Sequence, residues 1–513
     1  MNYKKLGKIL GKILFFEGLL MLAPMCIALI YKESFINVLA FIVPIAALML
    51  TGGLLQLPKL TRNTFTQKEG FALVPLGWIL MAMFGAIPFV INGDIPNYVN
   101  ACFEIMSGFT TTGASIVEDV TLLSHSTLFW RSFSHWIGGM GILVFVLIFI
   151  PESNEGSSMH LLRAESPGPQ VGKLSSKMKV TARVLYLIYL GLTVMEIVLL
   201  VLDKPIPGYE GDHVFNSILA SFGCAGTGGF GFIPGSMELY SPYSQYVMAT
   251  FLLLYGTNFS LFYFMLLRRF RDVFRSDELR TYWIIVATGI VCVFTTLMLH
   301  AGEVAQGYTV EEAFRHSYFQ VASIVTTTGY TTSDFNVWPM TAVTVLIILM
   351  VIGSMAGSTA GGIKVSRLYI ALRGSLISVR QLINPRYVPK AKYEGKSLEE
   401  RTINGVFAFI TMYFFTLIVV VLILSIDPIN GQTIAITSDA GSYEVQHGFL
   451  SNFSASLACI SNIGPGLEGV GAYSSYVGYS AISKIVLLLT MLIGRLEILP
   501  VFIMFNPKTW KRF

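Results

Sequence analysis

Four short segments rich in glycine, threonine and serine combine residue types that could coordinate a cation through backbone carbonyl oxygens. The first reads Phe-Glu-Ile-Met-Ser-Gly-Phe-Thr-Thr-Thr-Gly over residues 103–113, and the third reads Phe-Gln-Val-Ala-Ser-Ile-Val-Thr-Thr-Thr-Gly over residues 319–329. The second, at 225–231, and the fourth, at 461–466, are more divergent. One such segment carries little weight, because small residues also mediate packing between membrane helices, but four occurrences predict a shared role.

Glycine and small hydroxyl residues suit a pore lining for physical reasons. A short helix that enters a membrane from outside points its partly negative carboxyl end toward the centre, which favours a cation there. The returning chain must aim successive carbonyls at one axis, and glycine permits this because it adopts positive φ without a Cβ clash. We align the second segment on Gly229, with Gly228 as the alternative register, and the fourth on Gly464. The predicted K⁺ selectivity filter comprises Thr111, Thr112, Gly113, Thr227, Gly228, Gly229, Thr327, Thr328, Gly329, Asn462, Ile463 and Gly464.

Composition indicates that a lipid bilayer surrounds most of this chain. Hydrophobic residues make up 54% of the 513 residues, charged residues make up 13%, and the mean hydropathy is +0.65. Segments of about 20 apolar residues are long enough to cross the hydrocarbon core as helices. Ten long apolar segments lie near residues 13–30, 36–57, 71–91, 129–150, 184–202, 244–267, 281–299, 340–363, 404–426 and 482–505.

The distribution of basic residues predicts the orientation of these segments. Most of the 35 Lys and Arg residues fall in alternate connections, including 268–280 and 364–401, and near the two termini. By the positive-inside rule we expect both termini to lie in the cytoplasm and the chain to be a multi-pass protein of the bacterial cytoplasmic membrane. The net charge of +5 is then a topological signal and gives no reason to expect a nucleic-acid partner.

Each glycine-rich segment follows an apolar stretch too short to cross the bilayer and lies between two predicted spans, which is typical of re-entrant helices. The sequence therefore predicts an all-α membrane protein with four M1–pore helix–M2 repeats in pseudo-fourfold symmetry around one pore, preceded by two extra N-terminal transmembrane helices. The predicted units are residues 1–60 for the N-terminal extension, 71–150 for repeat 1, 180–268 for repeat 2, 280–380 for repeat 3 with a broken last helix, and 400–513 for repeat 4.

Three further stretches, at residues 135–141, 353–364 and 494–500, complete a resemblance that covers essentially the whole chain. The chain resembles the TrkH family of membrane subunits of bacterial potassium uptake systems, in the superfamily with KtrB and the plant HKT transporters. The resemblance implies one pore per subunit, a homodimer, and gating by a TrkA-like cytoplasmic nucleotide-binding partner. It implies no covalent cofactor, and nucleotide acts only through that partner. It also identifies the selectivity glycines as Gly113, Gly229, Gly329 and Gly464, where glycine at the first position favours K⁺ over Na⁺.

A gate is predicted in the span at 340–363. Nine of the ten residues from Gly353 to Gly362 are Gly, Ala, Ser or Thr, which are poor material for a continuous helix. Carbonyls freed at that depth must face water or protein, so we expect an intramembrane loop below the filter. The resemblance implies that Arg495 on the last span meets this loop. The predicted gate residues are Gly353, Gly357, Ser358, Gly361, Gly362, Lys364 and Arg495.

The sequence leaves one other transport function open and disfavours an enzyme. A carrier that couples K⁺ to H⁺ or Na⁺, or a Na⁺-permeable relative, cannot be separated by sequence. An intramembrane enzyme is disfavoured because paired Asp residues and HExxH spacing are missing. A GxGxxG pattern at 226–231 is rejected as a nucleotide site because it follows a membrane helix. Glu196 and Glu497 suit either proton relay or charge pairing, the latter with Arg495, and His135 suits an interfacial or capping role.

Overall fold

The computed structural model of the chain is mostly helical and describes residues 3–58, 67–141, 178–206, 211–233, 235–300, 307–384, 391–439 and 441–510. The helices are α1 (Tyr3–Leu20), α2 (Leu22–Ile30), α3 (Phe35–Leu54), α4 (Gln67–Gly85), α5 (Ile87–Ile91), α6 (Tyr98–Phe109), α7 (His125–Gly139), α8 (Met178–Val201), α9 (His213–Gly226), α10 (Pro242–Tyr255), α11 (Phe259–Leu266), α12 (Phe270–Phe274), α13 (Asp277–Leu299), α14 (Val310–Val325), α15 (Met340–Val351), α16 (Val365–Ile383), α17 (Glu400–Leu424), α18 (Phe449–Ser461), α19 (Ala481–Arg495), α20 (Leu499–Phe505) and α21 (Pro507–Trp510).

Six helices in the described ranges are long and apolar enough to cross a membrane, or seven if one sharply bent pair is counted as a span. The six are Tyr3–Ile30, Phe35–Leu54, Glu69–Ile91, Ala182–Val201, Asp277–Leu299 and Glu400–Leu424. They correspond to predicted spans in the N-terminal extension and to the first helix of each predicted repeat. Residues 142–150 of the predicted span 129–150, with much of the basic connection after them, lie outside the described residues.

The prediction of one continuous span at 244–267 is wrong. Helices α10 and α11 meet at an angle of 92° across the sequence Gly-Thr-Asn. The side chain of Asn258 accepts a hydrogen bond from Ser260 N (2.8 Å) and so caps α11. A new helix therefore starts here in a new direction, because a side-chain oxygen replaces the backbone acceptor that a continuous helix would supply.

The expected continuous span at 482–505 is also interrupted. Helix α19 ends at Arg495, and Glu497 and Ile498 follow with φ of 56° and 67°. Ile498 N–H donates to Ile493 O (2.9 Å), which closes the end of α19. Proline lies in the first turn of α20, where its missing N–H costs no helical hydrogen bond.

Two small antiparallel hairpins correct the all-α expectation. Strands β1 (Lys392–Tyr393) and β2 (Lys396–Ser397) form one hairpin, and β3 (Thr433–Ser438) and β4 (Gly441–Gln446) form the other. In the second hairpin Thr433 pairs with Gln446. Alternating Thr, Ile, Ser, Tyr and Val residues suit a half-exposed hairpin, and this short-range pattern contains no long apolar segment.

The interior consists of two large apolar clusters that meet around the glycine-rich segments. One cluster involves α8 to α11 and α13 to α15, and the other involves α1, α3, α4, α6 and α19. Helices α1 and α3 touch through Gly11 and Gly52, where a Cβ on Gly11 would lie 2.8 Å from Gly52 O. Leu187, Ile284 and Leu422 are exposed apolar residues on long helices. Such faces suit contact with lipid.

Candidate functional site

The four glycine-rich turns follow four short helices, α6, α9, α14 and α18, and all four helices end in the same way. The residue at each turn in the left-handed region is Thr111, Thr227, Thr327 or Asn462, with φ of 54°, 54°, 55° and 56°. Its N–H bonds to the carbonyl three residues back, and the next N–H bonds to the carbonyl five residues before itself, as in Thr112 N to Ser107 O (2.9 Å). This is the Schellman motif, which satisfies carbonyls left free at a helix end.

Two residues after the left-handed residue, each turn has a glycine with positive φ. The values are 80° for Gly113, 73° for Gly229, 86° for Gly329 and 99° for Gly464. Gly229 is therefore the structural equivalent of the other three glycines, and Gly228 is not. A residue with a Cβ would be strained at each of these positions.

The four turns contact one another in a closed cycle. A Cβ added to Gly113 would lie 2.0 Å from Gly228 O, and one added to Gly229 would lie 1.9 Å from Thr328 O. The cycle continues because a Cβ on Gly329 would lie 2.0 Å from Ile463 O. It closes because a Cβ on Gly464 would lie 2.7 Å from Thr112 O. Each turn thus packs its glycine against the backbone of the next turn.

Threonine hydroxyl groups form hydrogen bonds with each other within the first turn and within the third turn. Thr110 Oγ1 lies 2.8 Å from Thr112 Oγ1, and the equivalent pair Thr326 and Thr328 is 2.9 Å apart. In the fourth turn Asn462 Nδ2 donates to Thr112 Oγ1 (2.9 Å). All five side chains are buried. The bond from Asn462 ties the first turn to the fourth by a side chain as well as by backbone packing.

The chain between α15 and α16 forms a loop, residues 352–364, that lies against the third and fourth turns. Gly361 N–H donates to Thr327 Oγ1 (2.6 Å), and Ser354 Oγ donates to Val325 O (2.9 Å). A Cβ on Gly361 would lie 2.4 Å from Ser461 O. Gly353 N–H donates to Ile363 O (2.8 Å), so the loop returns on itself before α16 begins.

Arg495 connects this loop to the first turn. Its Nη1 donates to Thr359 O (2.8 Å) and to Thr111 Oγ1 (3.2 Å). Its Nη2 donates to Gly139 O (2.8 Å) and also to Gly138 O, at the end of α7. One guanidinium therefore bridges the loop, a glycine-rich turn and a neighbouring helix end, a use of several fixed donors that lysine could not match.

Several groups that support the loop were missed or misassigned from the sequence. Glu497 accepts a hydrogen bond from Arg367 and forms an ion pair with it, a partner that the sequence did not indicate. The buried Glu278 accepts hydrogen bonds from Ala356 N (2.7 Å), within the loop, and from Ser366 N (3.1 Å), in the first turn of α16. Glu278 belongs to the first turn of α13, where acidic residues are common because they interact favourably with the helix dipole. Its sequence position therefore does not indicate a contact with the loop.

His135 does not lie at an interface, but its ring bonds a carbonyl in the last turn of α6, so the capping role is the one of the two expected roles that the structure supports. The ring is fully buried within α7, with Nδ1 2.9 Å from Gly108 O and Nε2 accepting from Phe230 N (3.3 Å). An accepting Nε2 assigns the proton to Nδ1, which donates to Gly108. The ring thereby links the end of α6 to the second turn. Lys364 is buried too, and its Nζ donates to Ala360 O.

Glu196, the other acidic residue singled out in the sequence, is fully buried in α8. It accepts a hydrogen bond from Tyr255 Oη (3.0 Å), at the last residue of α10 before the 92° bend.

Comparisons with known proteins agree over the full length of the chain. The family model for TrkH, described as a cation transport protein, matches residues 37–512. The Trk system potassium uptake protein TrkH of Escherichia coli K12 is 31% identical over 100% of both chains, and that of Vibrio parahaemolyticus is 32% identical over 100% of both. The crystal structure of the potassium transporter TrkH from Vibrio parahaemolyticus superposes with a TM-score of 0.83 at 29% identity, again over 100% of both chains.

Proposed function

This chain belongs to the TrkH family of cation transport proteins, and we propose that it takes up K⁺ through a selectivity filter formed by the cycle of four turns. The relatives named above are potassium uptake proteins and a potassium transporter, and they span the whole chain. The chain is a multi-pass membrane protein with several apolar helices. Its function is transport and not catalysis.

The observation that carries this proposal is the repeated backbone geometry of the turns. Three threonines and one asparagine adopt left-handed φ at equivalent positions, each followed two residues later by a glycine with positive φ. Left-handed φ is unusual for a β-branched residue, so three such threonines mark a backbone shape held for function. In a ring of such turns the carbonyls can replace the hydration shell of K⁺.

The filter residues are those of the sequence prediction, and the repeats run over 71–150, 180–268, 280–380 and 400–513 around one pseudo-fourfold axis. The N-terminal extension, 1–60, precedes them in the chain. The helices α6, α9, α14 and α18 are the pore helices, with their carboxyl ends directed at the ion. Both termini lie in the cytoplasm, since the basic residues then face inward.

The loop at 352–364 and Arg495 form the gate. The guanidinium donates to Thr359 O in the loop and to Thr111 Oγ1 in the first turn, so the closed state is held by hydrogen bonds next to the filter. A TrkA-like nucleotide-binding ring on the cytoplasmic side opens it by displacing the loop. The exposed arginines near 268–280 and the basic connection before α17 are the docking surface, and the transporter is a homodimer.

Ion flux in proteoliposomes tests this proposal. We expect the purified chain to carry K⁺ down its gradient and Gly329→Asp to abolish that flux, because its side chain would meet Ile463 O within the ring. Gly431→Asp is the matched control, since Gly431 also has positive φ (85°) but no atom within 4 Å of an added Cβ. Normal K⁺ flux through Gly329→Asp refutes the filter. Flux that needs an imposed H⁺ or Na⁺ gradient identifies a coupled carrier.

A further inference from the structure

A buried ion pair lies directly behind the first and second turns. Arg131 on α7 and Glu104 on α6 meet with Arg131 Nη2 2.8 Å from Glu104 Oε1, and their side chains are 1% and 0% exposed. Arg131 Nε donates to the same oxygen (2.8 Å), so two guanidinium nitrogens hold it. Such charge-assisted contacts fix relative position more strictly than apolar packing does.

The pair is bonded to the chain where it leaves both turns. On the first turn, Ser115 Oγ donates to Glu104 Oε1 (2.9 Å) and Ile116 N–H donates to Glu104 Oε2 (2.9 Å). On the second turn, Arg131 Nη1 donates to Gly231 O (3.0 Å). The guanidinium carbon also lies 4.3 Å from the ring centroid of Phe230. The ion pair therefore spans the boundary between two neighbouring turns.

The equivalent positions of the other three repeats are not charged. Nine residues before each filter glycine, where repeat 1 has Glu104, the other repeats have Ala220, Gln320 and Ala455. Arg131 lies seven residues after the N-cap residue of the helix that follows the first turn. At the same position after the other three turns, the chain has Met248, Leu346 and Leu487. All six are buried. The fold is thus compatible with uncharged residues at both positions.

The uncharged residues of the other repeats help to distinguish a role of the ion pair in stability from a role in the geometry of the turns. Replacing a buried ion pair by well-packed apolar residues is often neutral or stabilising, so stability alone does not explain why one repeat of four has a charged pair. What the charged pair adds here is a set of directed hydrogen bonds to Ser115, Ile116 and Gly231. Those bonds restrict how far the exits of the first two turns can move apart or together.

We propose that Glu104 and Arg131 are positioning residues that set the width of the filter between its first and second turns and so determine its preference for K⁺ over Na⁺. The inference rests on the proposed function of the ring. A ring of carbonyls discriminates between the two ions through its size and its stiffness, and a pair that braces two of the four turns controls both. Neither residue touches the ion.

The test is the K⁺/Na⁺ flux ratio of variants in proteoliposomes. The double variant Glu104→Gln, Arg131→Met removes both charges together, which avoids an unpaired buried charge. We expect the flux ratio to fall about tenfold, equivalent to about 1.4 kcal/mol of discrimination, while K⁺ flux persists. Ser115→Ala removes only one hydroxyl that joins the pair to the turn, and we expect it to lower the ratio about threefold.

Matched controls come from the other repeats. Gln320→Ala and Leu487→Met alter the equivalent buried positions, and we expect both to retain the wild-type ratio. An unchanged ratio in the inserted double variant overturns the proposal. If the double variant is degraded, Ser115→Ala decides: a lowered ratio supports positioning, and an unchanged ratio overturns it. Wild-type protein that carries no K⁺ would instead refute the proposed function itself.

Discussion

Replacing Arg495 with alanine should open the transporter without its cytoplasmic partner. The side chain makes four described hydrogen bonds, to Thr359 O in the loop, to Thr111 Oγ1, and to Gly138 O and Gly139 O. The contacts with the end of α7 do not depend on the position of the loop. The bond to Thr359 O does, so it is the contact that distinguishes a closed loop from a displaced one.

The size of the effect follows from that single bond. A hydrogen bond from a charged donor contributes about 1.5 to 3 kcal/mol. If the bond to Thr359 O exists only in the closed state, its loss shifts the closed-to-open ratio by about 10- to 150-fold. Removing the positive charge beside the ion path acts in the same direction, because it lowers the repulsion of K⁺.

The assay is K⁺ or Rb⁺ flux into proteoliposomes that contain the chain alone. Arg495→Ala and a deletion within Gly357–Gly361 should each raise partner-independent flux. Arg495→Lys should have an intermediate effect, because it keeps the charge but loses the fork of donors. Arg401→Ala, which alters an exposed arginine at the start of α17, is the control and should leave flux unchanged. Unchanged or lower flux in both the alanine variant and the deletion, with normal insertion, would refute the gating argument.

Two further perturbations test contacts that the structure introduced. Asn258→Ala removes the cap of α11 and should destabilise the protein by about 1 kcal/mol, whereas Asn258→Asp should retain stability, as measured by thermal unfolding in detergent. Tyr443→Phe removes the bond from the β3–β4 hairpin to Asp334 Oδ2 (2.5 Å) and should raise the proteolysis rate of the hairpin. Burial and the neighbouring Asp334 raise the pKa of Tyr443, so this contact should persist to about pH 10, the ordinary tyrosine value, and be lost only as pH rises further. A proteolysis rate that does not rise above about pH 10, or that is unchanged in Tyr443→Phe, would contradict the contact.

The sequence by itself determined the family, the membrane environment and the four turns. These features have local causes. The length of an apolar segment matches the thickness of the bilayer. The Thr-Thr-Thr-Gly sequence is typical of a helix end with one left-handed residue and one glycine at positive φ. The small residues between Gly353 and Gly362 likewise predict a segment without helix, because their intrinsic helix propensity is low.

The tertiary structure decided what the turns, breaks and charges contact. The positive φ of Gly229 and its packing against Thr328 O together identify it, and not Gly228, as the equivalent glycine. The Arg367 partner of Glu497 and the Glu104–Arg131 pair depend on groups distant in sequence. Apolar periodicity reports which residues avoid water, but a buried charge is placed by the partner that offsets its desolvation, and that partner is chosen only when the chain folds.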